Sequence, residues 1–188
     1  MKIHQKSHRA TGFTLIELLV VITIIAVLAG LSFAGVNQAI KRSKKLEATT
    51  MATSLVSAIE SFYDEYNRLR NVNSEVDTDG DGVELLQILL GLEGDSGEID
   101  NTRQLIFLEG KEATGRRGGI VFTGGDNVEG LFDPFGNPYT VILNTDFEDT
   151  LSFSFGSEQV RLRGKQAAVY SRGADEEFNT ADDIKSWR

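Results

Sequence analysis

The pattern of apolar and polar positions changes character twice along this chain. Residues 13–36 are apolar or small throughout, except Thr14, Glu17, Thr23 and Ser32. A helix needs about 20 such residues to cross a bilayer's hydrocarbon core, and backbone groups in lipid must satisfy one another, so the run predicts an apolar helix. From residue 37 to about residue 70 there is no Pro and no Gly. Here Ala48, Ala52, Leu55, Ile59, Phe62, Tyr66 and Leu69 recur in steps of four and three, the stripe of an amphipathic helix. Glu47, Ser57, Glu60, Ser61, Asp64 and Arg68 fall opposite. The two segments read as one helix over residues 13–70, roughly 85–90 Å long at 1.5 Å per residue. Its second half needs a packing partner on one face only.

Beyond it the period shortens. Residues 71–84 read as loop, 83–92 (VELLQILLGL) as a short buried helix ended by Gly91 or Gly94, and 94–102 as loop again. Five short apolar runs bounded by Gly, Asn and Asp predict strands at 104–108, 119–123, 139–143, 151–155 and 167–171. Strands at these spacings suggest an antiparallel meander with one face to bury. The free stripe of the long helix is its cover, which gives an α+β head with a long N-terminal helix packed on a small antiparallel sheet. Both prolines lie in Asp133-Pro134-Phe135-Gly136-Asn137-Pro138-Tyr139, turn chemistry ahead of a strand. The chain thus divides into residues 1–12, an apolar helix 13–36, its amphipathic continuation 37–70, and a head 71–188.

Charge adds direction. The chain of 188 residues has a formal net charge of −9, which argues against nucleic-acid binding, where a basic footprint is needed. Residues 1–12 hold Lys2, Lys6 and Arg9 and no acid, so by the positive-inside rule they stay cytoplasmic and the head lies across the membrane. Lys41, Arg42, Lys44 and Lys45 follow the apolar run. They sit at the outer headgroups, meet acidic faces of neighbouring subunits, or form a solvated basic face. There is no Cys, so no disulfide closes the head's loops. The two histidines, His4 and His8, both precede the apolar run, which leaves the rest of the chain without histidine-based triads or the usual zinc ligands.

Candidate chemistry is confined to carboxylates. Glu17 lies five residues into the apolar run, where a charge is costly, and residues 13–36 contain no Lys, Arg or His. Its partner comes from another molecule, or the group is protonated or snorkels. A secretory signal peptide would have a shorter apolar core, and a plain anchor leaves Glu17 unexplained. Asp77, Asp79 and Asp81 open a D-x-D-x-D-G calcium-loop pattern, but the twelfth position is Ile88 where an acid belongs. That stretch is a second cation site or an acidic turn. Near the C-terminus, Asp175 with Asp182 or Asp183 and the carbonyls between them offer calcium its oxygens; the bland reading is a solvated acidic tail. A carboxylate hydrolase using Asp182 and Asp183 lacks any enclosing motif.

Gly12-Phe13-Thr14-Leu15-Ile16-Glu17, a basic leader before it and an apolar helix after it resemble the class III signal of type IV pilin-like proteins. The resemblance implies cleavage between Gly12 and Phe13 by a prepilin peptidase, N-methylation of Phe13, and pairing of Glu17 with the new α-amine of a neighbouring subunit. The family often has a helix-kinking Pro where this chain has Ala34. The 133–139 turn and the stretch from Ser171 to Trp187 resemble major pseudopilins of type II secretion systems. That likeness implies a calcium ion held by the side chains of Asp175 and Asp182, with Asp183 as a further side-chain ligand or a group behind the ligands, main-chain oxygens of Arg172 and Glu177, and a main-chain or hydroxyl oxygen of Thr180. It implies a structural subunit and no enzyme: a single-pass inner-membrane protein with a cytoplasmic N-terminus and a periplasmic head. Such a subunit assembles into a homo-oligomeric periplasmic filament with minor pseudopilins on an inner-membrane platform. The alternative is a type IV pilin of a surface fibre for adhesion, motility or DNA uptake.

Overall fold

The computed structural model describes residues 12–68, 74–93, 100–146 and 148–187, with backbone alone at 31–35. Residues 1–11, and with them His4, His8 and the leader's cations, lie outside it, as do Leu69, Arg70 and most of the loop at 94–102. The chain forms two units, Met1–Ile40 and Lys41–Arg188.

In the first unit, helix α1 (Leu15–Tyr66) begins. Its large apolar side chains from Leu15 to Leu28 are exposed, and Thr23 returns its hydroxyl to the carbonyls of Leu19 (2.9 Å) and Val20 (2.8 Å). That back-bonding satisfies a hydroxyl on an otherwise apolar surface. Among the described residues no helix is long and apolar enough to cross a membrane; the described side chains of the apolar run stop at Gly30 and resume at Val36.

In the second unit the predicted stripe is the core. Ala48, Ala52, Leu55, Ile59 and Phe62 are all at most 1 % exposed, while Glu47, Ser57, Ser61 and Asp64 face solvent. The helix stops at Tyr66, ahead of the predicted end, because Asn67 turns left-handed at φ 50°. Strand β1 (Glu75–Asp77) leads to α2 (Val83–Leu90), which Gly91 ends in a left-handed conformation at φ 69°. A Cβ at Gly91 would also meet the Gln104 carbonyl oxygen at 2.9 Å, so glycine is required twice over.

The strands that follow are β2 (Gly119–Phe122), β3 (Val128–Phe132), β4 (Thr140–Leu143), β5 (Thr150–Phe155), β6 (Glu158–Arg163), β7 (Ala167–Ser171) and β8 (Ile184–Lys185). All their pairings are antiparallel, but the topology departs from a meander. The main sheet runs β1-β4-β7-β8, while β2-β3 and β5-β6 form separate two-stranded sheets. Val141, Leu143, Ala167 and Val169 join the core under α1. Their neighbours Ile142, Ala168 and Tyr170 face a second core with Leu151, Phe155 and Val160 of the β5-β6 hairpin. Strands β4 and β7 are therefore covered on both faces, which explains their unbroken apolar runs. Strand β5 alternates as expected, with Leu151 and Phe155 buried and Ser152 and Ser154 exposed.

No strand forms at 104–108. The N–H groups of Phe107 and Leu108 donate to the Leu89 carbonyl (2.8 and 3.0 Å), at the end of α2. Buried Asn101 engages the N–H and carbonyl of Leu105 (2.9 and 2.7 Å). Local polar partners satisfy this backbone before a neighbouring strand can.

The turn at 133–137 is fixed by one carboxylate. Asp133 is fully buried. Its Oδ1 accepts the N–H groups of Phe135 (2.8 Å), Gly136 (2.7 Å) and Asn137 (3.0 Å). Its Oδ2 accepts the Ser171 hydroxyl and the Asn137 amide, and that amide also donates to the Gly173 carbonyl (2.6 Å). A buried charge needs this many donors to be tolerated. The turn thus anchors the start of the C-terminal loop. Tyr139, just after it, donates its hydroxyl to the Ala48 carbonyl of α1 (3.2 Å), and burial pushes its phenol well above the usual range. Replacing Asp133 by Ala strands several buried donors at about 1–3 kcal/mol each. Urea unfolding of Asp133→Ala is expected to show a loss of at least about 3 kcal/mol.

Candidate functional site

At the amino end, Gly12 and Phe13 precede α1 and are exposed. Thr14 stands at the helix N-cap and Glu17 three residues on. The Thr14 N–H donates to Glu17 Oε2 (2.8 Å), the Thr14 hydroxyl donates to the same oxygen (2.6 Å), and the Glu17 N–H points back to the Thr14 hydroxyl (3.3 Å). This is a capping box, in which cap and third residue satisfy each other's free N–H groups. Its signal in the sequence is Thr-x-x-Glu ahead of an apolar run, which a reading of Glu17 by charge alone does not include. In the single chain, then, Glu17 has a polar partner one turn away. Both bonds fall on Oε2, and among the described residues Oε1 accepts none.

At the other end, the loop at 172–183 is built around Asp182. Its Oδ2 accepts the N–H groups of Ala174 (2.7 Å) and Asp175 (3.1 Å), and its Oδ1 accepts the Thr180 hydroxyl (2.8 Å). Gly173 makes the approach feasible: φ is 74°, and a Cβ would meet the Asp182 carbonyl oxygen at 2.5 Å. Burial pushes the Asp182 carboxyl up, but the hydrogen bonds from Thr180, Asp175 and the backbone outweigh it and hold it at about 2. Asp175 accepts the Glu177 N–H (3.0 Å), and Asp183 accepts the Thr180 N–H on Oδ2 (3.0 Å). Asp183 Oδ1 is buried without a hydrogen-bond partner, and burial raises that carboxyl. Arg172 and Glu177 are exposed.

Calcium fits this loop in part. The donors are hard oxygens, Asp182 is held ionised, and Asp183 Oδ1 is an orphaned acceptor, which suits the ion. Against that, among the described residues no three Asp, Glu, His or Cys side chains gather as a metal group. The loop's own N–H groups already occupy much of Asp182 and Asp175.

The stretch from Asp77 to Gly82 is arranged as a turn. The N–H groups of Gly80 and Gly82 donate to the Asp77 carbonyl (3.0 and 2.9 Å). Asp77 accepts the Thr140 hydroxyl (2.6 Å), and Asp79 faces Arg116 at 3.8 Å. Asp77, Asp79 and Asp81 are not brought together as a metal group. Within the turn, the Thr78 hydroxyl is buried, donating to the Leu131 carbonyl (2.7 Å) and accepting the Tyr139 N–H (2.9 Å).

The capping box predicts a local effect. In Thr14→Val the hydroxyl is gone and the helix start loosens. Amide hydrogen exchange at Glu17 and Leu18 in micelles is expected to quicken several-fold, with the rest of α1 unchanged.

Residues 7–33 match the family model described as the prokaryotic N-terminal methylation motif. A 76-residue stretch, 40% of this chain, is 36% identical to the type IV major pilin protein PilA of Myxococcus xanthus (strain DK1622) and covers 34% of it. The chain spans about a third of the length of that curated relative. No solved structure matches. Through the methylation motif that overlies the capping box and the partial likeness to a major pilin, the chain is similar to type IV pilin-like proteins with a class III signal.

Proposed function

We propose that this chain is a structural filament subunit without enzymatic activity, inserted in the inner membrane by residues 13–36 and polymerised from there. The observation that carries the reading is the continuous exposure of large apolar side chains from Leu15 to Leu28. A contiguous apolar surface of that size marks a membrane or protein contact. In the membrane, lipid covers it; in a filament, the helices of other copies do.

Prepilin peptidase cuts between Gly12 and Phe13, and Phe13 is then N-methylated. Glu17 keeps Thr14 on Oε2 and offers Oε1 to the α-amine of a neighbouring Phe13. A subunit out of register leaves that charge unpaired in an apolar bundle, and the cost rejects it. The C-terminal loop takes up calcium through Asp175, Asp182 and Asp183, with Arg172, Glu177 and Thr180 adding oxygens. The ion then supplements the hydrogen bonds that already close the loop. Asp77, Asp79 and Asp81 are left as a turn.

Two filament systems remain distinct. The 133–139 turn and the Ser171-to-Trp187 ending support a type II secretion pseudopilus, with a periplasmic filament, minor pseudopilins and an inner-membrane platform as partners. The relationship to a major pilin supports a surface fibre for adhesion, motility or DNA uptake. Deletion separates them: loss of exoprotein release without loss of surface fibres supports the pseudopilus, and loss of fibres or motility supports the pilin.

A Cβ at Gly12 meets nothing within 4 Å, so Gly12→Ala perturbs peptidase recognition and not the fold. Immunoblots are expected to show only the unprocessed precursor. Glu17→Ala is expected to be cleaved normally yet to form few filaments by electron microscopy. Calcium is expected to raise the melting temperature of the processed chain, chelation to lower it, and Asp175→Ala to remove the response.

A further inference from the structure

The four cations that follow the apolar run are not equivalent in the structure. Lys44 is half-buried, with its Nζ 5.6 Å from the centroid of the Phe135 ring. Lys45 is half-buried and donates to the Ala181 carbonyl (3.1 Å), which ties the C-terminal loop to α1. These two serve the head's own packing. Lys41 and Arg42 are exposed, and among the described residues no ion pair reaches either of them.

We propose that Lys41 and Arg42 bind anionic phospholipid headgroups on the outer face of the membrane, as a collar that holds the head at that surface before polymerisation. The proposal rests on the reading of residues 13–36 as membrane-inserted. Lys41 follows Val36 by five residues of the same helix, about 7 Å of rise. The headgroup layers add roughly 5–8 Å to each side of the hydrocarbon core. Both side chains are long enough to reach phosphate from there, Lys by snorkelling and Arg with a planar fork that matches phosphate oxygens in pairs. The collar also answers a problem set by composition: the chain is acidic, with net charge −9, and an acidic head is repelled by an anionic surface. A basic residue close to such a surface strengthens attachment about fivefold. Two side chains therefore give an attachment firm enough to orient the head and weak enough to release when the subunit leaves the bilayer.

The absence of Cys allows a direct test. The processed full-length chain with Ser43→Cys, an exposed position between the cation pairs, carries a nitroxide label. It is reconstituted in vesicles of phosphatidylcholine alone or of equal parts phosphatidylcholine and phosphatidylglycerol. The readout is accessibility of the label to a neutral water-soluble relaxant. Accessibility is expected to fall at least about twofold in the anionic vesicles and to recover in molar salt, where the screening length is about 3 Å. It is expected not to fall when Lys41→Gln and Arg42→Gln are added. Equal accessibility in both vesicles, with insertion verified by protease protection, overturns the collar and leaves the membrane reading intact. A fall that follows protein density and ignores lipid charge also overturns it, because the partner is then another copy of the chain. Failure to insert in either vesicle overturns the membrane reading and the collar together.

Discussion

A carboxylate on an apolar helix has to keep hydrogen-bond donors within reach wherever that helix goes. Water supplies them outside the membrane, and neither lipid nor a bundle of apolar helices can. Glu17 solves the first half of this constraint within its own chain, through the Thr14 N–H and hydroxyl. Both donors share one carboxylate oxygen, and the other is available to a second molecule. The group is thus held and oriented before any neighbour arrives. On the proposed assembly, register selection becomes a question of geometry at a prepared acceptor, not of a loose charge finding a partner.

The head applies the same rule to a different end. Asp133 is buried with five donors around it, and through Ser171 and Asn137 it holds the beginning of the C-terminal loop. Asp182 gathers the N–H groups of the same loop, and Lys45 fixes it to α1. A chain without Cys closes its longest C-terminal excursion by pointing carboxylates at backbone donors. Calcium, on this account, strengthens a loop that hydrogen bonds already shape; its remaining foothold is the orphaned oxygen of Asp183.

Much of this was legible in residue spacing, because spacing reports burial directly. The stripe from Ala48 to Phe62 reads as a core face and is one, and Gly91 marks the end of α2. What failed is equally physical. Residues 104–108 have strand composition, but Asn101 and the Leu89 carbonyl claim their backbone first. Strand β1 hides between Glu75 and Asp77 because only Val76 is buried, and β6 reads as polar because its hairpin shows one face to water. A pattern of single residues cannot reveal that β4 and β7 pair with strands distant in sequence. The Thr14 partner of Glu17 is different: its signal, Thr-x-x-Glu ahead of the apolar run, is present in the sequence, and charge alone does not report it.

The claim on which this account stands is that the free oxygen of Glu17 meets an amine from another chain. It can be measured in filaments grown from a mixture of two preparations, one carrying carbon-13 at the Glu17 carboxyl and the other nitrogen-15 at the Phe13 α-amine. Solid-state NMR should then detect a dipolar coupling between the labels, with a separation inside the roughly 4–6 Å over which opposite charges stabilise each other. Well-formed mixed filaments with no such coupling would contradict the account, since the carboxylate would then be satisfied without its neighbour.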